Sequence, residues 1–233
     1  MKFRSILLII CLACSSILFA QEKILIITGG HDFEETQFFE MFDSFKDVPY
    51  DWLVQPKGNE LIESGVTNQY RAIVFYDMYQ EISETQKASY IHALDKGQGM
   101  VFLHHSLVSY QDWPEFQQII GGRYLLTKTN NNPKSTYKHD VDINVHLVNK
   151  KHPISMGLDD FELLDEVYGN YIVNKNVTPL LTTDHPESTR TIGWCHKYRN
   201  ARIVYLQSGH DHFAFENPNF RALLRNAINW VDK

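Results

Sequence analysis

Three apolar segments of this 233-residue chain are each followed closely by histidine. Short β-branched runs without polar alternation are typical of parallel strands whose two faces are covered by helices. Ligands of open parallel sheets bind beyond the carboxyl ends of the strands, so we expect the imidazoles to meet at one edge and form a site. The runs are residues 24–27 before His31, residues 100–103 before His104 and His105, and residues 203–206 before His210.

Two kinds of chemistry are open to these histidines. In the first, an imidazole transfers a proton near neutral pH while a carboxylate orients the ring. In the second, three or four side chains bind a divalent metal such as zinc. No pair has a local ligand spacing such as His-x-x-x-His, so a metal would need ligands from distant strand ends. The available carboxylates are Asp32, Asp165, Glu166 and Asp211, and the candidate metal ligands are His31, His104, His105, Glu166, His196 and His210.

Several of these residues also have an ordinary structural interpretation. Adjacent strand residues point to opposite faces, so only one of His104 and His105 is expected to face the crevice, and we select His105. Asp32 is equally suited to cap the helix that follows it. His139 and His185 fall in expected loops, where we predict that they are solvated.

Strand and helix signals alternate up to about residue 120. The first strand is followed by a helix at residues 34–45 and by strands at residues 50–54 and 72–77. Ser83 and Gln86 then form a capping box at the start of the next helix. This alternation predicts right-handed crossovers and a mostly parallel sheet.

The second half of the chain has a different pattern. Apolar and polar residues alternate over residues 140–148, which predicts a half-exposed strand at a sheet edge. Residues 191–198 and 202–206 are close enough to form a hairpin. A final helix is predicted with Asn217 as its N-cap and Pro218 in its first turn. Its expected buried stripe consists of Phe220, Leu223, Leu224, Ala227, Ile228 and Val231.

Residues 1–20 have the pattern of a secretory signal, with a basic start, an apolar stretch and a small residue before the cleavage point. We expect cleavage before Gln21, export to the periplasm or the medium, and one domain over residues 21–233. The apolar stretch is too interrupted for a membrane anchor, so no integral membrane segment is expected after cleavage. A lipoprotein with its lipid on Cys14 is the alternative.

The charge balance argues against two classes of partner. The chain has a formal net charge of −6, and loss of Lys2 and Arg4 with the signal leaves 20 basic and 28 acidic residues, a net charge of −8. This acidic balance disfavours binding to nucleic acid or to anionic membrane surfaces. Only Cys195 remains after cleavage, so an intramolecular disulfide is excluded.

Short motifs around the candidate residues follow one another in a characteristic order. They are Gly29-Gly30-His31-Asp32, Phe102-Leu103-His104-His105-Ser106, Ile120-Gly121-Gly122-Arg123, His152-Pro153-Ile154 with Gly157-Leu158 and Phe161, Asp165-Glu166-Val167-Tyr168, Trp194 with His196, and Gly209-His210-Asp211. Together they resemble the ThuA-like (trehalose utilisation) family over essentially all of residues 21–233. The resemblance implies a class I glutamine amidotransferase-like fold, a flavodoxin-like three-layer α/β sandwich with a mostly parallel sheet.

The resemblance also bears on the chemistry. Class I amidotransferases carry a cysteine nucleophile on the tight turn after a central strand. The corresponding turn here is His104-His105-Ser106, which contains no cysteine, so glutaminase activity is not expected. His210 falls about where the amidotransferase histidine would lie. Cys195 lies within an expected strand and is predicted to be a small buried residue.

The family resemblance implies a role in carbohydrate metabolism, with a small carbohydrate as partner. We expect an enzyme acting on disaccharides, glucosides or their 3-keto derivatives, such as a ketosugar isomerase, lyase or hydrolase. The alternatives are a non-catalytic carbohydrate-binding protein and a metal-dependent hydrolase. Tyr168 and Trp194 are either core residues or platforms for a sugar ring. The expected catalytic residues, and the expected ligands if a metal is bound, are His31, His105, Glu166 and His210, while the expected substrate-binding residues are Asp32, His104, Asp165, Tyr168, Trp194, His196 and Asp211.

Overall fold

The computed structural model describes residues 23–232, and a nine-stranded sheet runs through them. The predicted signal, residues 1–20 with Cys14, lies outside the described residues. The strands of this sheet are β1 (Ile24–Gly29), β2 (Tyr50–Val54), β3 (Ala72–Asp77), β4 (Met100–Leu103), β6 (Thr136–Leu147), β7 (Phe161–Gly169), β9 (Thr178–Thr182), β10 (Thr191–Tyr198) and β11 (Ala201–Leu206), and a two-stranded sheet pairs β5 (Gly122–Arg123) with β8 (Ile172–Val173). The helices are α1 (Glu35–Asp43), α2 (Lys57–Glu63), α3 (Glu84–Asp95), α4 (Pro114–Ile120), α5 (His212–Glu216) and α6 (Pro218–Val231). Among residues 23–232, no helix combines the length and the apolar character needed to cross a bilayer.

Five strands form a parallel unit in the order β2-β1-β3-β4-β11. Nearly every residue of β1, β3 and β4 is buried, as expected for strands with helices on both faces. Helices α1 and α6 cover one face through Phe38, Phe42 and Leu223, and α3 and α4 cover the other through Tyr90 and Phe116. The predicted three-layer α/β sandwich is confirmed, and its parallel strands end at a common edge.

Four further strands extend the sheet in antiparallel fashion, in the order β11-β10-β9-β6-β7. The predicted hairpin of residues 191–198 and 202–206 is confirmed as β10 and β11. The prediction that residues 140–148 form an edge strand is wrong, because β7 pairs along the outer side of β6. The side chains of β6 alternate between exposed and buried since one face of an antiparallel sheet can meet solvent, whether or not the strand is an edge.

Two helix starts follow their predicted caps. The backbone N–H of Gln86 donates to Ser83 Oγ at 3.1 Å, and Ser83 N–H donates back to the Gln86 side chain at 3.0 Å. Asn217 Oδ1 accepts from the backbone N–H groups of Asn219 and Phe220, at 2.9 and 3.2 Å. The predicted buried stripe of α6 is also confirmed. Helices α2 and α4 were not predicted, and neither has a side-chain cap at its start that could have signalled it.

Candidate active site

The turn after β4 carries two adjacent histidines. β4 ends at Leu103, and His104 has a φ of 48°, a left-handed conformation that residues other than glycine rarely adopt. A 3₁₀ helix begins at His104, so the alternation of a strand does not continue through the pair. The two rings therefore do not follow the directions of neighbouring strand residues, and of the pair only His105 lines the histidine cavity described below. His104 contacts Glu166, and His105 lines the adjacent cavity.

Glu166, His104 and His210 form a compact group, here called the Glu166 cluster. Glu166 Oε2 lies 2.9 Å from His104 Nε2 and 3.3 Å from His210 Nδ1, and the two ring nitrogens are 3.3 Å apart. The hydroxyl of Tyr168 lies 3.0 Å from the same His104 nitrogen. The other nitrogen of that ring, Nδ1, lies 2.8 Å from the carbonyl oxygen of Gln207 and donates its proton there. The cluster thus joins the ends of β4, β7 and β11.

The proton positions in the cluster follow from these contacts. With Nδ1 of His104 donating to a carbonyl, a neutral ring would present the lone pair of Nε2 to a carboxylate oxygen 2.9 Å away. Two lone pairs at that distance repel, so the contact requires a proton or a metal ion between them. Burial alone would raise the pKa of Glu166, but hydrogen bonds from His104 and His210 hold it below its ordinary value. The same carboxylate raises the pKa of His210.

Asp165 holds the loop that carries His210. Its two carboxylate oxygens accept hydrogen bonds from the backbone N–H groups of Gly209 and His210, both at 2.9 Å. Gly209 has a φ of 120°, a conformation that side chains rarely adopt. Burial raises the pKa of Asp165, and the two backbone donors and His104 act against that rise. Asp165 therefore positions the loop from beneath rather than facing the cavity.

A cavity of about 290 Å³, here called the histidine cavity, opens beside the Glu166 cluster. His105 lies in its wall at 3% exposure, and neither of its ring nitrogens has a hydrogen-bond partner within the described part of the chain. Burial, and then the neighbouring rings of His104 and His31, lowers the pKa of His105 well below its ordinary value. His31 stacks on His105 with ring centroids 4.8 Å apart. The wall also includes Glu166, Tyr124, Tyr137 and Tyr168.

His139 also belongs to the site. It lies in β6 and not in a loop as predicted, although its side chain is exposed, as expected of a solvated residue. Its Nδ1 lies 3.1 Å from His210 Nε2, and its Nε2 lies 3.7 Å from Glu166 Oε1. His139 and Asp140 form a bulge in β6, because the pairing with β7 shifts between Lys138 and Val141. The bulge sets these two residues opposite Glu166 and turns His139 toward the cavity. Apart from its residue type, the sequence held no signal for this contact.

Trp194 and His196, expected to bind substrate, lie elsewhere. Trp194 is fully buried, and its indole N–H donates to the carbonyl oxygen of Ile120 at 2.8 Å. Nε2 of His196 lies 3.0 Å from the carbonyl oxygen of Ile119. Both side chains therefore attach β10 to the end of α4, and neither lines the histidine cavity.

Asp211 and Asp32, which were expected to bind substrate, also lie outside the lining of the histidine cavity. Asp211 caps α5 by accepting from the backbone N–H of Phe213 at 2.9 Å. Asp32 is exposed beside His31 and does not cap α1, whose N-cap position is Glu34. Cys195 is buried as predicted, and burial raises the pKa of its thiol to about 11.

The fold is an α/β sandwich with histidine and carboxylate side chains at one edge of its sheet, and the turn after β4 carries no cysteine. The sequence model of the ThuA family, described as trehalose utilisation, matches residues 23–231. The chain belongs to the ThuA family. No curated protein matches it in sequence.

Solved structures agree with the fold. A ThuA-like protein from Parabacteroides merdae superposes with a TM-score of 0.76 at 19% identity, covering 91% of this chain and 90% of that one. A ThuA-like protein from Bacteroides uniformis gives 0.70 at 21% identity, covering 91% of each chain. A protein described as part of a GMP synthase, from Thermoplasma acidophilum, gives 0.55 at 15% identity, covering 90% of this chain and 93% of that one. At these identities the similarity establishes the fold alone.

Proposed function

We propose that the protein binds a small carbohydrate in the histidine cavity and transfers a proton at a carbon beside its keto group. The substrates would be 3-keto derivatives of disaccharides or glucosides. The observation that carries this proposal is His105, which lines the cavity and whose two buried ring nitrogens have no hydrogen-bond partner within residues 23–232. A buried polar group without a partner costs about 1–3 kcal/mol, and sugar hydroxyl or keto oxygens would satisfy it.

The shape and lining of the cavity support a sugar ligand. Ligand cavities range from about 300 to 1,000 Å³, so a cavity of about 290 Å³ suits one sugar ring, with any second ring outside. Tyr124, Tyr137 and Tyr168 give it aromatic surface, which packs against the apolar face of a sugar ring. Membership of a family described by trehalose utilisation supports the same ligand class.

The side chains around the cavity suit two roles. His105 is kept neutral by its lowered pKa, so one of its nitrogens can accept the proton that leaves the carbon. The electron pair of that C–H bond moves toward the keto group, and negative charge develops on the keto oxygen. The hydroxyls of Tyr124 and Tyr137 belong to the cavity lining, so they can donate hydrogen bonds to that oxygen and stabilise it. His31 stacks on the ring of His105 and holds it in position, and the proton on His105 exchanges with water that enters the cavity.

Solvent exchange tests this proposal directly. The protein would be mixed with 3-keto sugars in deuterated buffer, and deuterium incorporation beside the keto group followed by proton NMR. Wild type should catalyse the exchange, and His105→Gln should slow it by about 100-fold or more, since a general base contributes roughly 10²–10⁴. His92→Ala, on the exposed side of α3, is the matched histidine control and should behave as wild type.

Two results would decide against the proposal. Exchange by His105→Gln at the wild-type rate would show that His105 is not the base. Binding of the sugars by wild type without exchange or product would favour the non-catalytic carbohydrate-binding protein instead. Calorimetry measures sugar binding separately from exchange. A protein that binds the sugars without exchange is then distinguished from one that does not bind them at all.

A further inference from the structure

We propose that the Glu166 cluster binds one divalent transition-metal ion, of the class of zinc, cobalt or manganese, through His104 Nε2, Glu166 Oε2 and His210 Nδ1. These three atoms are separated by 2.9, 3.3 and 3.3 Å. A zinc ion with nitrogen and oxygen ligands at about 2.0–2.1 Å in tetrahedral geometry holds those ligands about 3.3 Å from one another. Within residues 23–232, this is the one group of three histidine, cysteine or carboxylate side chains whose ligand atoms converge in this way.

The tautomer of His104 gives an independent argument. Its Nδ1 proton is directed to the carbonyl oxygen of Gln207, so the Nε2 lone pair points at the carboxylate of Glu166. The Tyr168 hydroxyl, 3.0 Å away, can donate to that lone pair, but it does not remove the repulsion between Nε2 and Oε2. A cation between the two atoms does. Metal-binding histidines characteristically donate their second ring N–H to a carbonyl or carboxylate, as His104 does here.

The contacts around His210 and Glu166 also suit these two residues to bind a metal. Asp165 accepts hydrogen bonds of 2.9 Å from the backbone N–H groups of Gly209 and His210, so the backbone that carries the His210 ring is held in place without a metal. Nε2 of His210 lies 3.1 Å from His139 Nδ1, which leaves Nδ1 for the cluster. Glu166 lies in the cavity wall, so a metal here would have a coordination position near the histidine cavity. His105 lines that cavity as well.

The types of ligand indicate which class of metal would bind. The ligands themselves differ in part from the four residues expected from the sequence. Two imidazoles and one carboxylate suit zinc and the neighbouring transition metals, whereas calcium and magnesium prefer oxygen ligands. His104 takes the place that we expected for His105. His31 lies beyond His105, on whose ring it stacks, and is not part of the group.

Metal binding can be measured without any substrate. The full-length protein would be stripped with a chelator, and Zn²⁺, Co²⁺ and Mn²⁺ titrated by calorimetry, with bound metal counted by elemental mass spectrometry. We expect one equivalent of metal, and Co²⁺ should give visible d–d absorption. Glu166→Gln and His210→Asn should each weaken binding by about 100-fold or more. Circular dichroism checks that each variant is folded.

Two control variants separate the possible ligand sets. His92→Ala should bind metal as wild type does, and so should His105→Gln, because His105 is not among the proposed ligands. Failure of wild type to bind any of the three ions would overturn the proposal and would mean that the cluster holds a proton instead. Loss of binding in His105→Gln with retention in Glu166→Gln would overturn the ligand assignment. The site is that of the proposed function, but neither result depends on turnover, so each proposal can fail alone.

Discussion

Replacing Asp77 by asparagine should make the stability of the protein less dependent on pH. Asp77 is the last residue of β3, and its side chain is 1% exposed. The side chains that donate hydrogen bonds to its carboxylate are all neutral. Gln55 Nε2 donates to it at 2.9 Å, and the hydroxyls of Ser106 and Ser109 lie at 3.4 Å. Burial raises the pKa of Asp77 to about 6, against the opposing effect of these hydrogen bonds.

The sign and size of the effect follow from that pKa. The folded protein binds this proton more tightly than the unfolded chain, in which the pKa is near 3.8. The stability that Asp77 contributes is fully present below about pH 4 and is lost as the pH rises through about 6. A difference of roughly two pKa units corresponds to about 3 kcal/mol, at about 1.4 kcal/mol per unit.

An amide fits the same position without carrying a charge. The hydroxyl of Ser106 can donate to the carbonyl oxygen of Phe75 at 3.1 Å, and that of Ser109 to the backbone carbonyl oxygen of Asp77 at 2.9 Å. The two serine oxygens are then free to accept from the amide N–H groups of the variant. Gln55 continues to donate to the amide oxygen.

Urea unfolding at a series of pH values, followed by tryptophan fluorescence, measures the effect. The difference in unfolding free energy between Asp77→Asn and wild type should move by about 3 kcal/mol in favour of the variant between pH 4 and pH 8. Asp142→Asn, at an exposed position of β6, is the control and should show no such change. Parallel pH profiles for wild type and Asp77→Asn would refute the reasoning.

Four further predictions follow from other parts of the chain. Gly30→Ala would place a Cβ 2.3 Å from the carbonyl oxygen of Met78 at a φ of +81°, so denaturant unfolding should show a loss of about 2 kcal/mol or more. Asn217→Ala removes the acceptor of two backbone N–H groups at the start of α6 and should cost about 1 kcal/mol by the same measurement. The protein should release no ammonia from glutamine. Cys195, whose pKa is about 11, should resist alkylation until the protein unfolds, so treatment with an alkylating reagent should leave the activity unchanged. Export remains a prediction, and mass spectrometry of the protein from its native host should find a chain that begins at Gln21, whereas an intact chain in the envelope would contradict it.

The parallel unit was predictable because its signals are local. A strand covered on both faces is apolar along its whole length, so residues 24–27, 72–77 and 100–103 could be recognised without knowledge of their neighbours. The caps at Ser83 and Asn217 are equally local, because the side chain bonds to backbone within three residues. The carboxyl edge then follows from the parallel direction of the strands.

The parts that sequence reasoning missed depend on contacts between distant segments. β7 contains Asp165 and Glu166, and these charges interrupt the apolar pattern of a strand that also packs Leu163 and Val167 into the core. His139 enters through a bulge that exists only in the pairing of β6 with β7. Trp194 was assigned to the sugar because an aromatic near a polar crevice suits either role, and its bond to Ile120 could be seen only after folding.

The choice between His104 and His105 could not have been made from strand geometry, because the strand ends before the pair begins. The left-handed backbone of His104 is strained by roughly 1–3 kcal/mol, and such a conformation persists only where its surroundings hold it. Here the ring is held at Nδ1 by the carbonyl oxygen of Gln207, and its own carbonyl oxygen accepts from the hydroxyl of Tyr205 at 3.0 Å. In the amidotransferase-like fold this turn presents a cysteine nucleophile. In this chain the strained turn carries no cysteine and sets an imidazole 2.9 Å from a buried carboxylate.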